Sequence, residues 1–182
     1  LIAVVAGDEY EFILQRNDHT APVTAKTIIL PAAVLRNPSA GSLLSFKQNI
    51  DFLYKWNPME DAGIFDIQMR FNYSEKSPAT GNIYEPKSVK WDVVQGLQEY
   101  EYKMDGAQFY NSVAANIEED PAATRIFGSI DILVWCGGKE LLNYITILGA
   151  NTGITSTQDI PLYTNLSEGR GIFTSRNVSD NL

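Results

Sequence analysis

The chain has 182 residues, 45% hydrophobic and 20% charged, values that fit one ordinary globular domain with a sizeable core and exclude a disordered chain or a low-complexity fibre. Its 14 basic and 22 acidic residues leave a formal charge of -8, which repels the phosphate backbone a non-specific binder must neutralise, so no nucleic-acid partner is expected. One cysteine excludes an internal disulfide and a cysteine metal cluster, while a reducing cytosol and a disulfide-poor envelope predict the same count.

The chain begins at Leu1 and not at methionine, which raises the expectation of a preceding segment. The apolar start from Leu1 to Ala6 is too short for the hydrophobic region of a signal peptide, and no stretch reaches the roughly 18 apolar residues of a membrane-spanning helix. Tyr10, Phe12 and Leu14 alternate as a first strand, and Thr27 to Leu30 reads as a second. Between them, Asn17-Asp-His-Thr-Ala-Pro22 is a polar turn. Its His19 is the only histidine, and reads as a solvated loop residue before a catalytic base or a metal ligand.

Period-two alternation is clearest in the next stretch. Ile50, Phe52, Tyr54 and Trp56 share one strand face, and Phe65, Ile67, Met69, Phe71 and Tyr73 share another against Asp66, Gln68, Arg70 and Asn72. The proline and glycine of Asn57-Pro-Met-Glu-Asp-Ala-Gly63 make the connection a turn between two successive antiparallel strands. Further strands are expected at Val89, Trp91 and Val93, at Tyr100, Tyr102 and Met104, and from Ile126 to Cys136. In the last, Ile130, Ile132, Val134 and Cys136 oppose Asp131, Leu133 and Trp135, so apolar groups on both faces predict a central strand.

Two helices interrupt this rhythm. Asp105 with Gln108 three residues on has the form of a capping box, and Phe109, Val113 and Ile117 then recur on one face until Pro121. A second helix is predicted from Lys139 to Leu148, opened by Gly137-Gly138 and closed by Gly149. After Ala150 the tail is rich in Thr, Asn, Ser and Gly, with Gly171-Ile-Phe-Thr-Ser175 as a closing strand. The pattern predicts a mainly β fold, an immunoglobulin- or fibronectin-like sandwich with two short inserted helices; an open antiparallel α+β sheet covered by the helices is the alternative. One β-rich domain spans 1–182, with 1–40 readable as the remnant or edge of a preceding domain.

No residue pattern points to a catalytic centre, a metal or a cofactor. Cys136 ends an apolar strand and reads as core, and Gly137-Gly138-Lys139 is followed by Glu140, which is not a phosphate loop. The acidic Glu118, Glu119 and Asp120 read as a solvated loop. Trp135, opposite its strand's main apolar set, and Tyr163 are candidates for an aromatic platform that binds a glycan or a protein, and Arg170 for a ligand contact.

Two stretches carry a resemblance: Tyr54-Lys-Trp-Asn-Pro58 through Phe65-Asp-Ile-Gln-Met-Arg-Phe-Asn-Tyr-Ser-Glu75, and Tyr163-Thr-Asn-Leu-Ser-Glu-Gly-Arg-Gly-Ile-Phe-Thr-Ser-Arg176. Over about a third of the chain it resembles uncharacterised surface lipoproteins of the Bacteroidetes with a domain of unknown function. That resemblance implies an immunoglobulin-like domain at the outer membrane or in the periplasm, held by a lipid anchor outside this chain, with no catalytic residues to carry over. The expectation is a non-enzymatic cell-envelope binding or accessory module with a protein or glycan partner; the alternative is a carboxylate-dependent hydrolase acting on carbohydrate.

Overall fold

The structure, a computed structural model, describes residues 3–81, 83–151 and 162–179. Its elements are β1 (Glu9–Leu14), β2 (Val23–Ile28), β3 (Leu35–Asn37), β4 (Phe52–Trp56), β5 (Ala62–Lys76), β6 (Glu85–Leu97), β7 (Glu101–Met104), α1 (Gly106–Asn116), β8 (Thr124–Gly138), α2 (Lys139–Asn151) and β9 (Arg176–Val178). Three antiparallel sheets result, in the orders β1-β2, β3-β4-β7 and β6-β5-β8-β9. The fold is mainly β, of sandwich type with two short helices, as the alternation predicts. β8 lies inside its sheet between β5 and β9, the central position its two apolar faces require.

Several details differ from expectation. β4 and β5 are successive strands, but they belong to different sheets, so the 57–61 connection is a crossing between sheets and not a hairpin. Ile50 lies outside β4 and is 56% exposed. The closing strand is Arg176–Val178, and 171–175 is irregular, because Gly171 at φ 143 takes the chain out of the extended region before it can join the sheet. Much of the polar stretch after Ala150, at 152–161, lies outside the described residues.

The chain gathers into two compact units, neither continuous in sequence. The first comprises Leu1–Ala32, Met59–Phe65 and Cys136–Asn177. Here β1 and β2 pair from Glu9 opposite Ile28 to Leu14 opposite Val23, and β2 buries Val23, Ala25 and Thr27 on one face. Cys136 is 1% exposed, its thiol facing the carbonyls of Pro31 at 3.6 Å and Asn177 at 3.5 Å, the core role read from its strand. The glycines before α2 serve close packing. A Cβ on Gly137 would lie 2.7 Å from Leu141 Cδ2, and one on Gly63 would lie 2.9 Å from the Cα of Lys139.

The tail motif proves to be a loop held by its own side chains. Asn165 donates from Nδ2 to the Phe173 carbonyl (2.7 Å) and accepts from the Phe173 N–H (2.8 Å), while the Thr164 hydroxyl donates to the Gly171 carbonyl (2.8 Å). Gly169 and Gly171 supply the positive φ values that the return of the chain demands. The Ser167 N–H donates to the Thr24 carbonyl (2.8 Å), and Ser175 Oγ donates to that of Ile28 (2.6 Å), so the loop is fastened to β2. The residues that carry the resemblance therefore have a structural use in this chain.

The second unit comprises Ala33–Pro58, Asp66–Trp135 and Val178–Leu182. Its core is aromatic. Phe109 of α1 stacks on Phe46 with centroids 4.1 Å apart, and stands 6.2 Å from both Phe71 of β5 and Trp91 of β6; Phe46 continues to Phe52 and Tyr54 of β4. Rings from two sheets thus meet around one helix, each pair contributing about 0.5–1.5 kcal/mol beyond area burial. Burial pushes the Tyr54 phenol far above its ordinary range, with Tyr102 adding to it.

Helix α1 starts where the sequence places it, but without the reciprocal box. Asp105 caps it by accepting from the Ala107 N–H (2.9 Å), whereas the Gln108 side chain donates to the Val93 carbonyl (3.1 Å) and so ties the helix to β6. Tyr110 donates to the Phe46 carbonyl (2.6 Å). Gly106 lies so close to the same segment that a Cβ would be 1.8 Å from the Lys47 carbonyl oxygen.

Candidate functional site

The outward row of β5 is polar and already engaged. Asp66 accepts from the Gly96 N–H (2.9 Å), Gln68 donates to Asp92 (3.2 Å), Arg70 pairs with Asp131 (3.4 Å), and Asn72 donates to Ser129 (3.0 Å) and Asp131 (3.2 Å). These are cross-strand pairs on a half-solvated face, each contributing a few tenths of a kcal/mol to sheet register. Glu75, 6% exposed, sits between Lys87 and the Arg125 Nε (2.6 Å). Hydrogen bonds from Lys87 and then Arg125 hold its carboxyl below the usual carboxylate range, and Lys87 is raised in return.

The contacts of β8 reveal a slip in its alternation. Ser129 and Asp131 reach the outward residues Asn72 and Arg70, yet Arg125 reaches Glu75 and Phe127 packs 5.4 Å from Phe71 on the inward face. Residues of one parity therefore change faces near Gly128. A Cβ there would lie 2.9 Å from the Asn72 carbonyl oxygen, the close approach expected of a glycine at a bulge.

This slip turns Phe127 into the rim of two apolar depressions. One, of about 290 Å³, lies between the 38–44 loop and the early part of β8, lined by Leu43, Leu44, Phe127, Ile130 and Ile132. The other, of about 380 Å³, is bounded by Phe71, Tyr73, Val113, Ile117, Arg125 and Phe127, beside α1. Phe127 is 61% exposed, Ile126 is 50% exposed, and Leu43 is fully exposed. Large apolar groups gathered around clefts, and not scattered singly, are the mark of a contact surface.

The residues picked from sequence lie elsewhere. Trp135 is half-buried in the later part of β8, in the second unit. Tyr163 is half-buried and Arg170 exposed, both in the first unit, with Arg170 at the loop tip between the two positive-φ glycines. None of the three lines either depression. His19 is exposed at φ 62 in the β1–β2 turn, where Asp18 accepts from both the N–H (3.1 Å) and the hydroxyl (2.6 Å) of Thr20. Among the described residues no group of three or more His, Cys, Asp or Glu side chains gathers to hold a metal, and no helix is long and apolar enough to cross a membrane.

No family model, curated protein or solved structure matches this chain. The signal for Phe127 and Leu43 is nonetheless in the sequence. Ile126-Phe127 breaks strict alternation just before a glycine, and Leu43-Leu44 stands in a loop otherwise made of Pro, Ser, Ala and Gly.

Proposed function

We propose that this chain is a non-enzymatic binding or accessory module of the cell envelope, and that the surface around Phe127 takes a protein partner. The observation that carries the reading is the pair of apolar depressions sharing the exposed Phe127 ring. Apolar clefts rimmed by exposed aliphatic and aromatic groups desolvate well against another protein, whereas a glycan also needs hydrogen-bonding side chains to meet its hydroxyls. The envelope location is supported by the tail and β4–β5 residues that resemble surface lipoproteins.

The hydrolase alternative is weakened by the state of the carboxylates. A general acid needs a raised pKa, and Glu75, the most buried carboxylate among the described residues, is held low by two cations; Asp66, Asp92 and Asp131 are engaged by backbone, amide and guanidinium donors. The test is site-specific photo-crosslinking from position 127 in the cells that make the protein, run beside a glycoside and peptide hydrolysis screen. The expected result is one discrete crosslinked protein and no turnover. Turnover abolished by Asp131→Asn would replace this reading with the hydrolase.

A further inference from the structure

The larger depression is apolar at one end and polar at the other. Phe71 of β5 and Phe127 of β8, with ring centroids 5.4 Å apart, line it from the sheet, and Val113 and Ile117 line it from the α1 side. Further on in β5 and further back in β8 the lining turns polar, at Tyr73 and Arg125. Tyr73 is 8% exposed, yet its phenol has no hydrogen-bond partner among the described residues. A hydroxyl buried unpaired costs free energy that a bound acceptor would offset. Arg125 donates from Nε to Glu75 (2.6 Å) and from Nη2 to the Glu118 carbonyl (2.7 Å), which leaves its Nη1 without a partner among the described residues.

We infer that this depression binds a small amphipathic carboxylate, its apolar body against Phe71, Phe127 and α1, and its head at the Tyr73 hydroxyl and the Arg125 guanidinium. The site goes beyond the protein contact proposed at Phe127 and does not rest on it. A volume of about 380 Å³ lies near the lower end of small-molecule sites. At roughly 30 Å³ for each water displaced, it suits a ligand of about ten non-hydrogen atoms. A guanidinium only donates and a phenol can donate, so the head must accept. Charge then selects an anion over a neutral acceptor, because Glu75 stands between Lys87 and Arg125 and the cluster keeps one positive charge in surplus. The formal charge of -8 on the whole chain disfavours a multiply charged ligand, so the head carries a single charge.

The probes are octanoate, octan-1-ol and octylamine, which share an apolar body and differ in the head, titrated into the isotope-labelled chain and read as amide shifts. Octanoate should move the amides of 71–73, 113–117 and 125–127 and bind about tenfold more tightly than octan-1-ol, the worth of one hydrogen bond to a charged group, with octylamine weaker still. Two variants, each checked for folding by circular dichroism, divide the argument. Ala114→Leu, at an exposed helix position that lines the depression, fills it and should weaken octanoate and octan-1-ol alike by about tenfold. Tyr73→Phe removes only the hydroxyl and should weaken octanoate several-fold while leaving octan-1-ol unchanged.

Equal binding of octanoate and octan-1-ol, indifferent to Tyr73→Phe, would overturn the carboxylate. An absence of shifts at millimolar octanoate, or binding that Ala114→Leu leaves intact, would overturn the site. The crosslink from position 127 is read separately, so failure of the ligand leaves the protein contact standing, and failure of the crosslink leaves the ligand site standing.

Discussion

Replacing Gly106 by alanine tests the claim that α1 is seated by close approach of backbone to backbone. A Cβ at this position would lie 1.8 Å from the Lys47 carbonyl oxygen and 2.5 Å from that of Ile50, where ordinary contact begins at 3.4 Å, so helix or loop must retreat by about 1.6 Å. Neither obstacle is the far end of a flexible side chain. Overpacking of this kind costs about 1–3 kcal/mol, and backbone obstacles put the cost at the upper end. Alanine returns up to about 1 kcal/mol in helix propensity, leaving a net loss of about 2 kcal/mol.

The same substitution at Gly149 in α2, where among the described residues nothing beyond the helix's own backbone lies within 4 Å of the added Cβ, should gain about 0.5–1 kcal/mol. Urea titrations followed by far-UV circular dichroism, with the slope of the transition checked for constancy, give both numbers. A Gly106→Ala protein as stable as its parent would refute the account of α1, because propensity alone predicts a gain there.

Glu75→Gln should flatten the acid limb of the stability profile. The folded pKa of Glu75 is depressed, so its contribution is present above the unfolded value of about 4.5 and is lost as pH falls through the folded value; denaturant midpoints at pH 3 and pH 7 should lie closer together in the variant. Asn165→Ala removes both bonds to Phe173 and should destabilise by about 1–3 kcal/mol in thermal or urea melts. Ile132→Ala, at 1% exposure, should lose about 2–5 kcal/mol by urea titration, whereas Leu43→Asp should stay within about 0.5 kcal/mol of the parent.

Strict alternation made β4 and β5 legible as strands because each buries one face, and the two apolar faces of β8 marked it as central. Period alone says nothing of which strand pairs with which. The assignment of β4 and β5 to separate sheets depends on β3 and β7 claiming both edges of β4, a fact of long-range register. The tail misled for a different reason. Ile172 and Phe173 look like strand residues, yet Asn165 and Thr164 offer the backbone there a closer set of partners than a sheet would. The candidate surface stayed hidden because a one-residue slip near Gly128 carries Phe127 to the face of Phe71 and away from Ser129 and Asp131, and a period-two template reads that slip as noise.

The burial of Cys136 equips the protein with its own clock. As the sole thiol in the chain and nearly sealed from solvent, it is available to an alkylating reagent only when the end of β8 opens, so the rate of its modification measures the frequency of that opening without any label. Followed by mass spectrometry with and without a bound partner, the same sulfur would report whether occupation of one stretch of the strand steadies the far end.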